Sequence, residues 1–181
     1  MITFKELLID INACEEAKLW AGDRTIEEVL RDSYRGDWLL WLAKKLDLPL
    51  NKLTLAKARC AKTVIHLMKD QRSIYAVNIA ERFGLDECTL EELNAAYAYA
   101  ADAAADAAFA AYDAAADAAD DAAYAAYAAA YADAAFAAYA AYAAAAAYDA
   151  ARKNNQQHTS DICVEILGQL LIDAVNNNLK K

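Results

Sequence analysis

Between residues 95 and 151 the chain uses only alanine, aspartate, tyrosine and phenylalanine, 38, 8, 9 and 2 of them respectively. Alanine is the best helix former, and neither glycine nor proline interrupts the segment. The run is therefore expected to be helical. As one straight helix its 57 residues would reach about 86 Å, far beyond the width of a domain built from 181 residues. A hairpin of two alanine-rich helices is more economical, because each can cover the other. Asp120-Asp121 is the best local turn, since aspartate is a good N-cap.

At 100° per residue, Asp102, Asp106, Asp113, Asp117 and Asp120 fall within an arc of about 60° and form a carboxylate stripe. Past the expected turn, Tyr124, Tyr127, Tyr131 and Tyr142 share a similarly narrow arc. The bland reading makes the tyrosines a packing seam and the aspartates a solvated face. Like charges at these steps repel one another, and no lysine compensates them. A helix that needs only solubility would alternate Glu with Lys. An all-Asp face is what a cationic partner would complement.

Charge localisation supports the same idea. The net charge is -9, of which the run contributes -8, while the other 124 residues carry 19 acidic and 18 basic groups. Such a surface repels phosphate backbones, so no direct nucleic-acid binding is expected, and it suits a basic protein instead. Eight aspartates make insertion of the run into a bilayer very costly, which excludes a membrane span. The first ten residues carry Lys5, Glu6 and Asp10 and are no signal peptide. Cys14, Cys60, Cys88 and Cys163 are widely spaced and read as reduced, mostly buried thiols of a cytoplasmic protein.

Outside the run the pattern is also helical. Three S/T-x-x-E boxes, Thr3 with Glu6, Thr25 with Glu28 and Thr89 with Glu92, mark helix starts. Helices are expected near 3–21, 25–34, 37–47, 52–69, 73–83 and from 89 onward, with Gly22, Gly36 and Gly84 capping helix ends. Leu55, Ala58, Ala61, Ile65 and Met68 form one inward stripe, and Ile74, Val77 and Phe83 another. No alternating stretch is long enough for a strand. The fold class is all-α: an N-terminal helical bundle over 1–88, then 89–181 as the alanine-rich hairpin and a C-terminal helix. The second hairpin helix is expected to end near Lys153, and the closing helix to run from about Thr159 to Asn176.

Little in the chain suggests catalysis. His66 and His158 have no metal-ligand spacing with each other or with a cysteine, and both read as structural or exposed. Asp102 with Asp106, or Asp113 with Asp117, lacks the further oxygens a divalent cation needs. There is no Gly-rich phosphate loop and no nucleophile with a plausible base, so no enzyme and no cofactor is expected. Ice-binding alanine-rich helices present repeated threonines, and this run has none.

Two stretches, Ala13-Cys14-Glu15-Glu16-Ala17-Lys18-Leu19-Trp20 and Gly36-Asp37-Trp38-Leu39-Leu40-Trp41-Leu42, precede the Ala/Asp/Tyr helix with its Thr-x-x-Glu start. Together they resemble a family of small alanine-rich immunity proteins of bacteria and their phages. The family pattern ends in an Asp-Ile-Val-Arg-like helix, echoed by Ser160-Asp161-Ile162-Cys163-Val164, with Val164 in place of the arginine. The resemblance implies an inhibitor role and carries no catalytic residues with it. Trp38 and Trp41 lie three apart beside Leu42 and read first as a core anchor, with a binding pocket as the lesser alternative and Asp37 able to cap their helix.

The leading expectation is a non-enzymatic binder that neutralises a basic toxin or defence effector. Asp102, Asp106, Asp113, Asp117 and Asp120 would supply charge, and Tyr112, Tyr124, Tyr127 and Tyr131 aromatic anchors. Carboxylates about 5–6 Å apart along the axis approach the phosphate spacing of a nucleic-acid strand, so mimicry is a specific form of this idea. Two alternatives belong to other classes. One is a structural module that forms a homodimer through the tyrosine stripe; the other is a phage protein that sequesters a small signalling ligand in the bundle.

Overall fold

The computed structural model describes residues 2–63, 65, 71–100 and 134–180, all of them helix or connection, with no strand among them. The helices are α1 (Phe4–Asp10), α2 (Glu15–Ala21), α3 (Ile26–Asp32), α4 (Gly36–Lys45), α5 (Leu50–Lys62), α6 (Gln71–Gly84), α7 (90–100) and α8 (Ala134–Leu179). The all-α class holds. The hairpin within the run and its Asp120-Asp121 turn lie outside the described residues.

All three capping boxes form. Thr3 and Thr25 each accept from the backbone N–H of the glutamate three residues on, whose carboxylate returns to the cap N–H. At the start of α7, Thr89 N–H donates to Glu92 at 2.8 Å and Glu92 N–H to Thr89 Oγ1 at 3.2 Å. Each box satisfies two donors that a helix start otherwise leaves without partners.

The expected 3–21 helix is in fact two, because Asn12 adopts φ 59° between α1 and α2. Asparagine tolerates this left-handed conformation better than most residues, and it turns α2 back onto α1. The expected break between Lys153 and Thr159 is absent, and α8 runs through it. Polar side chains of this stretch are tied to the bundle: the weak helix former Asn155 to the Thr63 hydroxyl at 2.9 Å, and Gln157 Nε2 to the Ser33 carbonyl at 3.4 Å. Tertiary partners thus override local propensity.

The C-terminal half of α8 is the spine of the main core. Cys163, Leu167, Leu171 and Val175, one helical turn apart, are fully buried among residues of α1, α3, α4 and α5 such as Leu7, Leu30, Leu39 and Leu53. A second, smaller core joins α5, α6 and α7 through Ala58, Ala76, Ile79, Ala80, Leu93 and Ala96. Leu55 and Ala58 face inward as expected, whereas the inner face of α6 is rotated from the expected one. Ala76, Ala80 and Gly84 are buried, and Ile74, Val77 and Phe83 only half-buried.

Close approach explains that rotation and corrects the reading of two glycines. A Cβ on Gly84 would lie 2.4 Å from Leu55 Cβ, so α6 needs small residues where it crosses α5. A Cβ on Gly36 would lie 2.6 Å from the Thr159 carbonyl oxygen, so α4 begins directly against the α8 backbone. Neither glycine is a left-handed cap. Gly22 alone among the glycines has positive φ, and Asp86 takes the left-handed position after α6.

Candidate functional site

Every residue proposed from the sequence as a partner contact lies outside the described residues: Asp102, Asp106, Asp113, Asp117, Asp120, Tyr112, Tyr124, Tyr127 and Tyr131. So do His66 and the side chain of Tyr142, whereas His158 is exposed on α8. The described start of the run does bear on the idea. Tyr97 and Tyr99 on α7 are 48% and 53% exposed, and Tyr75 on α6 is 50% exposed. Tyr75 and Tyr99 meet edge to face with centroids 6.4 Å apart, and the Arg72 guanidinium lies 5.9 Å from the Tyr99 ring centre. Three half-exposed tyrosines thus stand at the entry to the acidic run.

The N-terminal bundle holds a second feature. An open cleft of about 500 Å³ is lined by Trp20, Trp38 and Trp41, with Phe4 and Leu8 from α1 and a charged group of Glu16, Arg35 and Asp37. All three tryptophans of the chain line it. They are half-buried, whereas Leu39, Leu42 and Ala43 are the residues of α4 that bury in the core. The expected core anchor holds for Trp41, which packs against the main core, whereas Trp38 stands in the cleft wall. Trp20 and Trp38 have centroids 5.7 Å apart, and Tyr34 lies 5.9 Å from each.

Arg35 organises the charged end. Its Nε and Nη2 donate to the two oxygens of Asp37 at 2.8 and 2.7 Å, and Nη1 reaches Glu16 at 3.5 Å. Its guanidinium lies 4.7 Å from the Trp38 ring centre. Such paired and stacked contacts suit the planar fork of arginine. Arg35 holds the Asp37 carboxyl below the usual carboxylate range, and Asp37 in turn raises the guanidinium. Asp37 is therefore held chiefly by Arg35, which is the N-cap residue of α4 and turns its side chain to the carboxylates rather than to the helix end. With the arginine engaged by two carboxylates, the lining keeps an excess of one negative charge. The cleft suits a neutral or cationic planar ligand better than a phosphate.

The three stretches behind the family resemblance come together in space. Trp20 and Glu16 of the first and Asp37, Trp38 and Trp41 of the second line the cleft, and the third bonds to the backbone just before Asp37. There the buried Ser160 hydroxyl donates to the Ser33 carbonyl at 2.9 Å, and Cys163 Sγ to the Gly36 carbonyl at 3.6 Å. Sequence reasoning missed Arg35, whose partner sits only two residues on, a spacing that no helical periodicity marks.

Among the described residues no cluster of His, Cys, Asp and Glu could hold a metal ion. No described helix is long and apolar enough to cross a membrane. Comparison with family models, curated proteins and solved structures returns no match for this chain.

Proposed function

We propose that this protein is a non-enzymatic, cytoplasmic binding protein that captures and neutralises a basic protein, in the manner of an immunity or anti-defence inhibitor. The observation that carries this reading is charge segregation: a run of eight aspartates with no cation, attached to a remainder that is nearly neutral. Long-range attraction from such a run speeds encounter with a basic partner, and exposed tyrosines are effective contact anchors. Tyr75, Tyr97 and Tyr99 provide such anchors on and beside the first residues of the run. The resemblance to small alanine-rich immunity proteins points the same way. Affinity capture from native-host or phage-infected lysate, at low and high salt, tests it. A basic protein retained at low salt and released at high salt is the expected result; salt-indifferent self-association alone would favour the structural module instead.

The tryptophan cleft favours a second reading, a small-ligand binder. Its volume falls within the usual range for small-molecule sites, about 300–1,000 Å³. On this reading planar organic cations quench tryptophan fluorescence saturably, nucleotides do not, and Trp38→Ala abolishes the effect. No saturable quenching by any planar ligand would leave the cleft without this role.

A further inference from the structure

Cys60 on α5 and Cys163 on α8 lie 103 positions apart in sequence, yet their sulfurs are 3.7 Å apart. The contact follows from the packing around Gly36. Because that residue has no side chain, the first turn of α4 rests on the backbone at Thr159 and Ser160. The adjoining turn of α8 is thereby drawn into the core, where Cys163 is fully buried. Cys60 Sγ lies 3.7 Å from the Thr159 carbonyl oxygen and Cys163 Sγ 3.6 Å from that of Gly36, so each thiol sits against backbone that the crossing holds in place.

The pair is asymmetric. Cys60 is half-buried and Cys163 wholly buried, so a small reagent meets Cys60 first. The contact with Cys163 lowers Cys60 from the ordinary thiol value, while the same contact and burial push Cys163 up. A thiolate is the nucleophile in sulfur oxidation, which makes Cys60 the attacking group and Cys163 the resolving one. Cys88 is differently placed, 3.5 Å from the Ile79 carbonyl, and Cys14 is exposed.

We propose that Cys60 and Cys163 form an oxidation-sensitive pair, which a hydroperoxide converts to a disulfide that pins α5 to α8. In the first step the Cys60 thiolate attacks one peroxide oxygen, the O–O bond breaks and a sulfenic acid forms, and the hydroxide or alkoxide that leaves takes up the proton Cys60 gave up on ionising. In the second step the Cys163 sulfur displaces the sulfenic oxygen as water, taking up its thiol proton and forming the S–S bond. Two thiols are oxidised and one peroxide is reduced. The link closes a covalent loop whose sequence contains the whole acidic run, fastening α5 to the C-terminal half of α8.

The test treats the full chain with stoichiometric hydrogen peroxide, followed by intact mass and a non-reducing peptide map. The expected product has lost two hydrogen atoms and yields one linked peptide joining Cys60 to Cys163. Its thermal midpoint is about 5–15 °C higher and returns to the starting value with dithiothreitol. A chain with Cys14 and Cys88 replaced by serine behaves identically, and Cys60→Ser forms no link. Oxygen addition without a Cys60–Cys163 peptide, or linkage through Cys14 or Cys88, would overturn the proposal.

Discussion

Gly36 and Ser160 show how much of this fold depends on single atoms at one helix crossing. A methyl group on Gly36 meets backbone atoms of Thr159 and Ser160 at 2.6–2.9 Å, and backbone cannot swing aside as a side chain can. Gly36→Ala is therefore expected to cost about 1–3 kcal/mol in urea unfolding, with helical content retained at low denaturant. Ser160→Ala removes the 2.9 Å bond to the buried Ser33 carbonyl and leaves it only the longer one from Gln157, an expected loss of about 1–2 kcal/mol. Asp37 contributes differently. The Arg35 guanidinium, with smaller help from backbone N–H groups, lowers its folded pKa below the unfolded value of about 3.9. Its stabilisation is thus present above that value and disappears as pH falls through the lower folded one. Acid unfolding curves should show the parent losing more stability than Asp37→Asn between about pH 5 and about pH 2. An equal loss in both would mean that the Arg35 pair contributes nothing to folding.

At the scale of elements, legibility followed locality. The capping boxes at Thr3, Thr25 and Thr89 were readable because cap and glutamate lie three residues apart on one short stretch. The split between α1 and α2 was not, since nothing local requires Asn12 to turn left-handed. The continuity of α8 was hidden for the opposite reason: Asn154 to His158 read as a break, and only Thr63 and Ser33, distant in sequence, give those side chains partners. A proline there tests the correction. Gln156→Pro should cost about 3 kcal/mol or more, because it removes a helical hydrogen bond and crowds the preceding turn. A chemical-denaturation midpoint unaffected by that change would restore the interrupted helix. In the sequence the cleft shows only as two motifs, whose tryptophans at 38 and 41 read first as a core anchor. Trp20 and Trp38 lie on separate helices, and their meeting with Tyr34 depends on how α2 packs back onto α1.

For the molecule as a whole, two bodies of charge behave differently. The bundle pairs its ions, as where Arg59 reaches both Glu81 on α6 at 3.6 Å and Glu165 on α8 at 3.7 Å. The Ala/Asp/Tyr run contains no Lys, Arg or His in its own sequence. Electrostatic capture by the run should therefore weaken steeply as salt screens it, whereas the fold, held by two apolar cores, should not. The most direct measurement compares the parent with a chain in which Asp102, Asp106, Asp113, Asp117 and Asp120 are all asparagine. Both are immobilised side by side in native lysate, with affinity then measured for the protein retained. The account predicts that the asparagine chain keeps its helical content and loses the partner; equal affinity for the same partner would contradict it.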